Sequence, residues 1–144
     1  MGIWKQTTDL AQLAAWNRGC MVEHLGMVVT EVGADFVRGT MPVDARTRQP
    51  FGLLHGGASV ALAESLGSLA GNLCLDAAEM AVGLDINANH VRAVSAGLVT
   101  GTARPLHLGR NTQVWEIRIE DAAGHLVCIA RLTLAVVPRK AASA

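Results

Sequence analysis

The sequence predicts an α+β fold, an antiparallel β-sheet packed around one long central α-helix, in a single domain over residues 1–144. Three observations predict it. Gly57 to Leu75 runs for 19 residues without proline, rich in Ala, Leu and Ser, with Glu64 as its only charged residue. β-branched runs elsewhere follow one another at hairpin spacing, which favours antiparallel pairs. Within Thr112 to Glu120, the polar-leaning set Val114, Glu116, Arg118 and Glu120 alternates with Trp115, Ile117 and Ile119, giving the sheet one wet face and one dry face.

The elements follow in order. A short helix is expected over about 9–18, with Asp9 as cap, Gln12 at the third helical position, Gly19 as stop, and an apolar stripe of Leu10, Leu13, Ala14 and Trp16. His24–Val32 and Phe36–Val43 read as strands joined by a turn at Gly33-Ala34-Asp35, followed by a loop rich in turn formers from Asp44 to Gly56. The 19-residue helix is about 28 Å long. Being apolar or small almost all round, it is expected to be wrapped by other structure. Strands are then expected at Val82–Val91, Gly97–Ala103, Thr112–Glu120 and His125–Val137, with a frayed tail over 139–144.

Composition narrows the function. Hydrophobic residues make up 51%, and about 61% once the 15 glycines are added, against a usual ~45–50%. Charged residues are only 17% and the formal net charge is zero, which excludes a disordered chain and argues against nucleic acid as a partner. The longest stretch free of charged residues, Gln49 to Ala63, is shorter than the ~20 residues of a membrane span. Met1–Leu10 lacks the apolar centre of a signal peptide. Cys20, Cys74 and Cys128 are odd in number and widely spaced, and read as reduced, buried thiols of a cytoplasmic protein. The spare apolar surface points to a homo-oligomer.

Several residues carry chemical potential. A lone carboxylate at Glu64, in an apolar helix, should be paired, protonated or functional, and desolvation there would raise its pKa toward that of a general base. The structural alternative is an ion pair with a core Arg. Ser68 and Asn72 follow at four-residue steps on the same helix face. The loop Gln49-Pro50-Phe51-Gly52-Leu53-Leu54-His55-Gly56-Gly57 feeds the helix N-terminus, where unpaired N–H groups can stabilise a carbonyl gaining negative charge. Gly56 or Gly57 can donate there, with His55 and Gln49 near; the bland alternative is a glycine turn with a capping His. Gly56 and Glu64 stand about 12 Å apart along one helix axis. One helix therefore cannot bring both to one carbonyl, whereas two antiparallel copies can. Val82–Arg92 is unusually polar for a core strand, and Arg104–Arg110 forms a third cluster; Arg92 and Arg110 could hold phosphates or simply be solvated. The five histidines have no metal-ligand spacing, and no GxGxxG, Walker, HExxH or GxSxG pattern is present.

Taken together, Met41-Pro42-Val43-Asp44, Gln49 through Ser59, Leu62-Ala63-Glu64-Ser65, Asn87-Ala88-Asn89-His90 and Pro105-Leu106-His107-Leu108-Gly109 resemble the PaaI-like branch of the hotdog-fold acyl-CoA thioesterases. The resemblance spans about Ile3 to Pro138 and is most specific from Gln49 to Glu64. It implies a helix wrapped by an antiparallel sheet, in a homodimer or homotetramer. It implies hydrolysis of an acyl-CoA or aroyl-CoA thioester without a cofactor or metal. Glu64 would be general base or nucleophile, the Gly56 N–H would polarise the thioester carbonyl, Gln49 and His55 would line the site, and Ser68 would place water or the acyl group. The CoA part would meet Gly83, His90, Val91, Arg92, Ala93, His107, Leu108, Gly109, Arg110, Asn111 and Thr112. An acyl- or aryl-carrier protein is a further candidate partner. One departure is Asn72, where close members of this branch tend to carry an aromatic. Two alternatives stay open, a non-catalytic acyl-CoA-sensing protein and an acyl-CoA hydratase; the latter would need an Asp–His pair, and Asp85 and His90 lie five apart on a strand, facing opposite sides.

Overall fold

A computed structural model describes residues 2–141. Its elements are α1 (Leu10–Trp16), α2 (Met21–His24), β1 (Val28–Val32), β2 (Val37–Pro42), α3 (Gly56–Leu73), β3 (Glu79–His90), β4 (Leu98–Leu108), β5 (Thr112–Glu120) and β6 (Leu126–Pro138). The six strands form one sheet in the order β1-β2-β4-β5-β6-β3, and every neighbouring pair is antiparallel. The expected α+β architecture is therefore present. Helix α3 enters between β2 and β3 in sequence, and β3 returns at the far edge of the sheet beside β6.

The dry face is the one the alternation predicted. Trp115, Ile117 and Ile119 of β5 and Leu132 and Leu134 of β6 are fully buried, together with Leu62 and Ala63 of α3. Missing side chains let α3 come close to this face. A Cβ on Gly67 would stand 2.7 Å from Leu132 Cδ2, and one on Gly101 of β4 would stand 2.7 Å from Leu66 Cδ1. Both are closer than real carbon contacts, so leucines fill the space the glycines leave.

Helix α3 is not wrapped on every side, contrary to expectation. Gly57 is exposed and Val60, Ala61, Glu64, Ser65, Ser68 and Asn72 are only half-buried, forming one open stripe along the helix. The strand at Val82–Val91 is polar because β3 is an edge strand, with nothing paired on its outer side in the single chain.

Other expectations are corrected locally. Asp9 and Gln12 form the expected capping box of α1, but of its apolar stripe only Leu13 is buried, while Leu10 and Trp16 are 45% and 65% exposed. Residues 21–24, partly assigned to a strand by sequence, form α2. Strand β4 continues past Ala103 through Pro105, where a bulge between Pro105 and His107 accommodates a residue that cannot donate to the ladder. Cys20 is exposed, whereas Cys74 and Cys128 are buried, and all three are free thiols. The tail is tied at its start, because Arg139 N–H donates to Ala78 O at 2.8 Å; residues 142–144 of the expected fray lie outside the described residues.

The N-terminal segment closes the other end of α3. Lys5 and Gln6 N–H both donate to Leu73 O, and Gln6 Nε2 donates to Asn72 O and Leu75 O, satisfying carbonyls that a helix end leaves open. Trp4 stacks on Trp115 with ring centroids 6.4 Å apart.

The loop between β2 and α3 is held by Asp44. Its carboxylate accepts from Arg46 N–H at 2.9 Å and pairs with the Arg46 guanidinium at 2.7 Å, while its carbonyl accepts from Thr47 and Arg48 N–H. The hydrogen bond from the Arg46 side chain, above all, lowers the Asp44 pKa from 3.8 to about 2. A lowered folded-state pKa means that Asp44 contributes stability above its unfolded pKa and loses it as pH falls through the folded value. The Tm gap between wild type and Asp44→Asn is expected to be full at about pH 5 and to close toward about pH 2. A gap that stays constant over this range would contradict the assignment.

Candidate active site

Loop and helix geometry leave one backbone N–H unpaired at the start of α3. His55 is the N-cap; its Nδ1 accepts from Gly57 N–H at 2.8 Å, and its carbonyl accepts from Ala58 and Ser59 N–H. Of the first four N–H groups of the helix, only that of Gly56 has no such partner among the described residues. The helix dipole adds partial positive charge at the same point. The capping bond requires an unprotonated Nδ1, so the His55 that caps is neutral, with its proton on Nε2.

Gly56 opens onto a cleft of about 400 Å³ lined by Gln49, Leu53, Leu54, Gly56, Ser59, Val127 and the run His90–Ala93. Gln49 is oriented by its own loop. Its Oε1 accepts from Phe51 N–H at 2.5 Å and Leu53 N–H at 3.4 Å, and the turn is completed by Gly52 with φ +81°. The Nε2 of Gln49 is thereby left to donate toward a ligand. His90 comes from the end of β3 and packs on Gly56, where a Cβ would stand 2.8 Å from its Nε2. Gly56 must therefore lack a side chain for the two to meet.

Glu64 and Ser68 do not line this cleft. Glu64 stands two turns into α3 on the open stripe, half-buried, against Gly83 of β3; a Cβ there would lie 2.5 Å from its Oε1. Among the described residues it has no ion-pair partner, which removes the structural alternative of a pair with a core Arg. The run His107–Thr112 is the β4–β5 turn, closed by Gly109 N–H donating to Thr112 O at 2.9 Å. Leu108, Gly109 and Arg110 line a separate hollow beside Cys74, Leu75 and Asp76, near the C-terminal end of α3. Within one chain, then, the predicted site residues occupy three places: the N-terminus of α3 (Gln49, His55, Gly56, His90–Ala93), its middle (Glu64, Ser68, Gly83) and its far end (Leu108–Arg110).

Sequence reasoning missed four residues that line the cleft. Ser59, buried, stands one turn after Gly56, a spacing that could have marked it. Leu53 and Leu54 looked like ordinary loop residues, and Val127 arrives only through β6 pairing, with no local signal. Sequence reasoning also missed an apolar pocket of about 30 Å³ lined by Val22, Met27, Val29, Leu62, Ser65 and Leu69, which shares Met27 and Val29 with a groove of about 570 Å³ beside α1.

Other nucleophiles are poorly placed. Burial pushes the Cys74 thiol up to about 11 and raises that of Cys128, so both are protonated and inert near neutral pH. Among the described residues, no three His, Cys, Asp or Glu side chains gather as metal ligands. Among the described residues, no helix is long and apolar enough to cross a membrane. The register runs unbroken from Asp85 to His90, which keeps these two on opposite faces of β3 and gives the hydratase reading no acid–base pair.

Comparisons with known proteins identify the family and the fold. The pattern of the thioesterase superfamily matches residues 51–128. The chain is 54% identical over 134 residues to a 1,4-dihydroxy-2-naphthoyl-CoA hydrolase of Escherichia coli K12, covering 93% of this chain and 98% of that protein. It is 55% identical over 134 residues to a proofreading thioesterase of Cronobacter sakazakii, covering 93% and 98%. The crystal structure of a Haemophilus influenzae thioesterase superposes with a TM-score of 0.95 at 51% identity, covering 99% of both chains. The chain belongs to the thioesterase superfamily: it has the hotdog fold and is an enzyme that hydrolyses thioesters.

Proposed function

We propose that this thioesterase cleaves an acyl-CoA or aroyl-CoA at a site shared between two copies of the chain. The single observation that carries the proposal is the unpaired Gly56 N–H, set in a cleft with Gln49 and Arg92, on the same helix as Glu64 but about 12 Å from it. A chain that holds the carbonyl polariser and the carboxylate this far apart needs a second, antiparallel copy to bring them together. The outer edge of β3 supports this pairing. It is 12 residues long, and a strand of that length left unpaired invites a partner strand. Leu84, 62% exposed, adds apolar surface there. The assembly is a homodimer or a homotetramer built from it.

In the mechanism, the Gly56 N–H of one copy donates to the thioester carbonyl oxygen, with Gln49 Nε2 beside it, and both strengthen as that oxygen gains charge. Glu64 of the other copy acts in one of two ways. It takes a proton from water, which attacks the carbonyl and expels CoA thiolate; or it attacks directly, giving a mixed anhydride and thiolate, and water then opens the anhydride. In both cases the products are the free acid and the CoA thiol. Ser68, one turn from Glu64, places the water or the acyl group. The groove of about 570 Å³ beside α1, which shares Met27 and Val29 with the small pocket at Leu62, Ser65 and Leu69, offers the acyl group room. His90–Ala93, Gly83 and His107–Thr112 meet the CoA part, with Arg92 and Arg110 toward its phosphates. The CoA thioester named for the Escherichia coli relative supports this substrate class, and a carrier-protein thioester presents the same pantetheine arm. Free thiols without a disulfide suit a cytoplasmic enzyme.

A thiol-release panel of benzoyl-, naphthoyl- and aliphatic CoA thioesters tests the proposal. Turnover of at least one class is expected; binding without thiol release would favour a sensor instead. Glu64→Ala is expected to lose about 10²-fold or more in kcat, and a variant that keeps most of its turnover would overturn the role. Solvent oxygen-18 found in Glu64 after a single turnover marks the anhydride route, because only that route can put it there. His55→Ala removes the cap and is expected to cost about 1 kcal/mol of stability. It should also lower kcat, because Gly57 N–H is then freed and the helix start loosens; an unchanged kcat would separate the cap from catalysis.

A further inference from the structure

Asn72 lies two turns beyond Glu64 on the open stripe of α3, and its amide is committed to β3. Its Oδ1 accepts from Ala81 N–H at 3.0 Å, and its Nδ2 donates to Ala81 O at 3.2 Å and to Ser68 O at 2.8 Å. Val136, the β6 partner of Ala81, sends its own N–H to Asn111 O, away from β3. Paired residues in an antiparallel ladder exchange both bonds or neither, so Ala81 presents both backbone groups on the free edge of the sheet. The Asn72 amide fills the position that a neighbouring strand would take. Two residues on, along the same face of β3, Gly83 abuts Glu64. A bulge follows between Gly83 and Asp85, where the strand bends. The β6 ladder holds β3 in the sheet; at Ala81 it is the Asn72 amide that ties the outer edge of the strand to α3, and the edge beyond the bulge stays open to the partner copy.

We propose that Asn72 is a positioning residue for thioester hydrolysis, pinning β3 to α3 so that the Glu64 carboxylate is held against Gly83. This rests on the reading of Glu64 as the group that acts on water or thioester. The side chain does not act on substrate itself; it acts through the strand that borders Glu64.

The test compares Asn72→Leu, which keeps a side chain branched at Cγ but cannot hydrogen-bond, with Gln113→Leu. Gln113 is buried and ties the same end of α3 to β5, donating to Gly71 O at 3.3 Å and accepting from Trp115 Nε1 at 2.9 Å. Both variants are expected to lower Tm. Only Asn72→Leu is expected to lower kcat, by about tenfold, with KM for an aroyl-CoA within about twofold of wild type. Should Asn72→Leu not fold, Asn72→Asp keeps the size and the acceptor for Ala81 N–H, loses the two donor contacts, and is expected to show the same loss confined to kcat. An Asn72 variant with wild-type kcat, a loss confined to KM, or an equal kcat loss in Gln113→Leu would overturn the proposal. Wild-type turnover on the same substrate separates the two levels. Without it, the thioesterase-site reading fails and the positioning role with it; with it, a normal Asn72 variant overturns the positioning role alone.

Discussion

The closeness of α3 to the sheet governs both the core and the site. Leu66 and Leu132 fill the room left by Gly101 and Gly67, so the helix lies deep against β4 and β6. One face of α3 is spent on that packing, and the opposite stripe carries Glu64, Ser65, Ser68 and Asn72 in the open. Two further contacts fix what lies at either side of the stripe. Gly56 meets His90 at the helix start, and Glu64 meets Gly83 in the middle, both where a side chain on the glycine would not fit. Strand β3 therefore runs along the helix and touches it at the two points where chemistry is expected.

The N-terminus of α3 is economical in its hydrogen bonds. His55 satisfies three of the first four N–H groups through its ring and its carbonyl, leaving Gly56 alone to face the cleft. A Ser or Asp cap would satisfy the same kind of donor. Gln49 is arranged by the same logic, its carbonyl oxygen consumed by its own turn and its nitrogen left for a ligand.

Much of the fold was legible because its signals are local. Glu64 is conspicuous as one charge in an apolar helix, the alternation of Val114 to Glu120 exposes the dry face directly, and the Asp9–Gln12 capping box is a four-residue pattern. What was not legible depends on partners distant in sequence. The polar run in β3 looked odd because sequence does not say which strand is an edge. Strand β4 seemed to end before Pro105 because proline cannot donate, and only the bulge shows how it continues. The tie between Asn72 and Ala81 joins helix to strand through a side chain whose spacing predicts only a shared face with Glu64. Val127 reaches the cleft through β6, which no nearby residue announces.

The central claim is that each active site draws Glu64 from one copy and the Gly56 end of α3 from the other. Complementation tests it most directly. Glu64→Ala and Gln49→Ala, each expected to lose most turnover when produced singly, are co-expressed in equal amounts and purified together without sorting the dimers. If the site is shared, one site in each mixed dimer keeps both intact halves, and thiol release returns to about a quarter of wild type for random mixing. If both halves belong to a single chain, no site in any dimer is intact, and mixtures that stay as inactive as the parents would contradict the account.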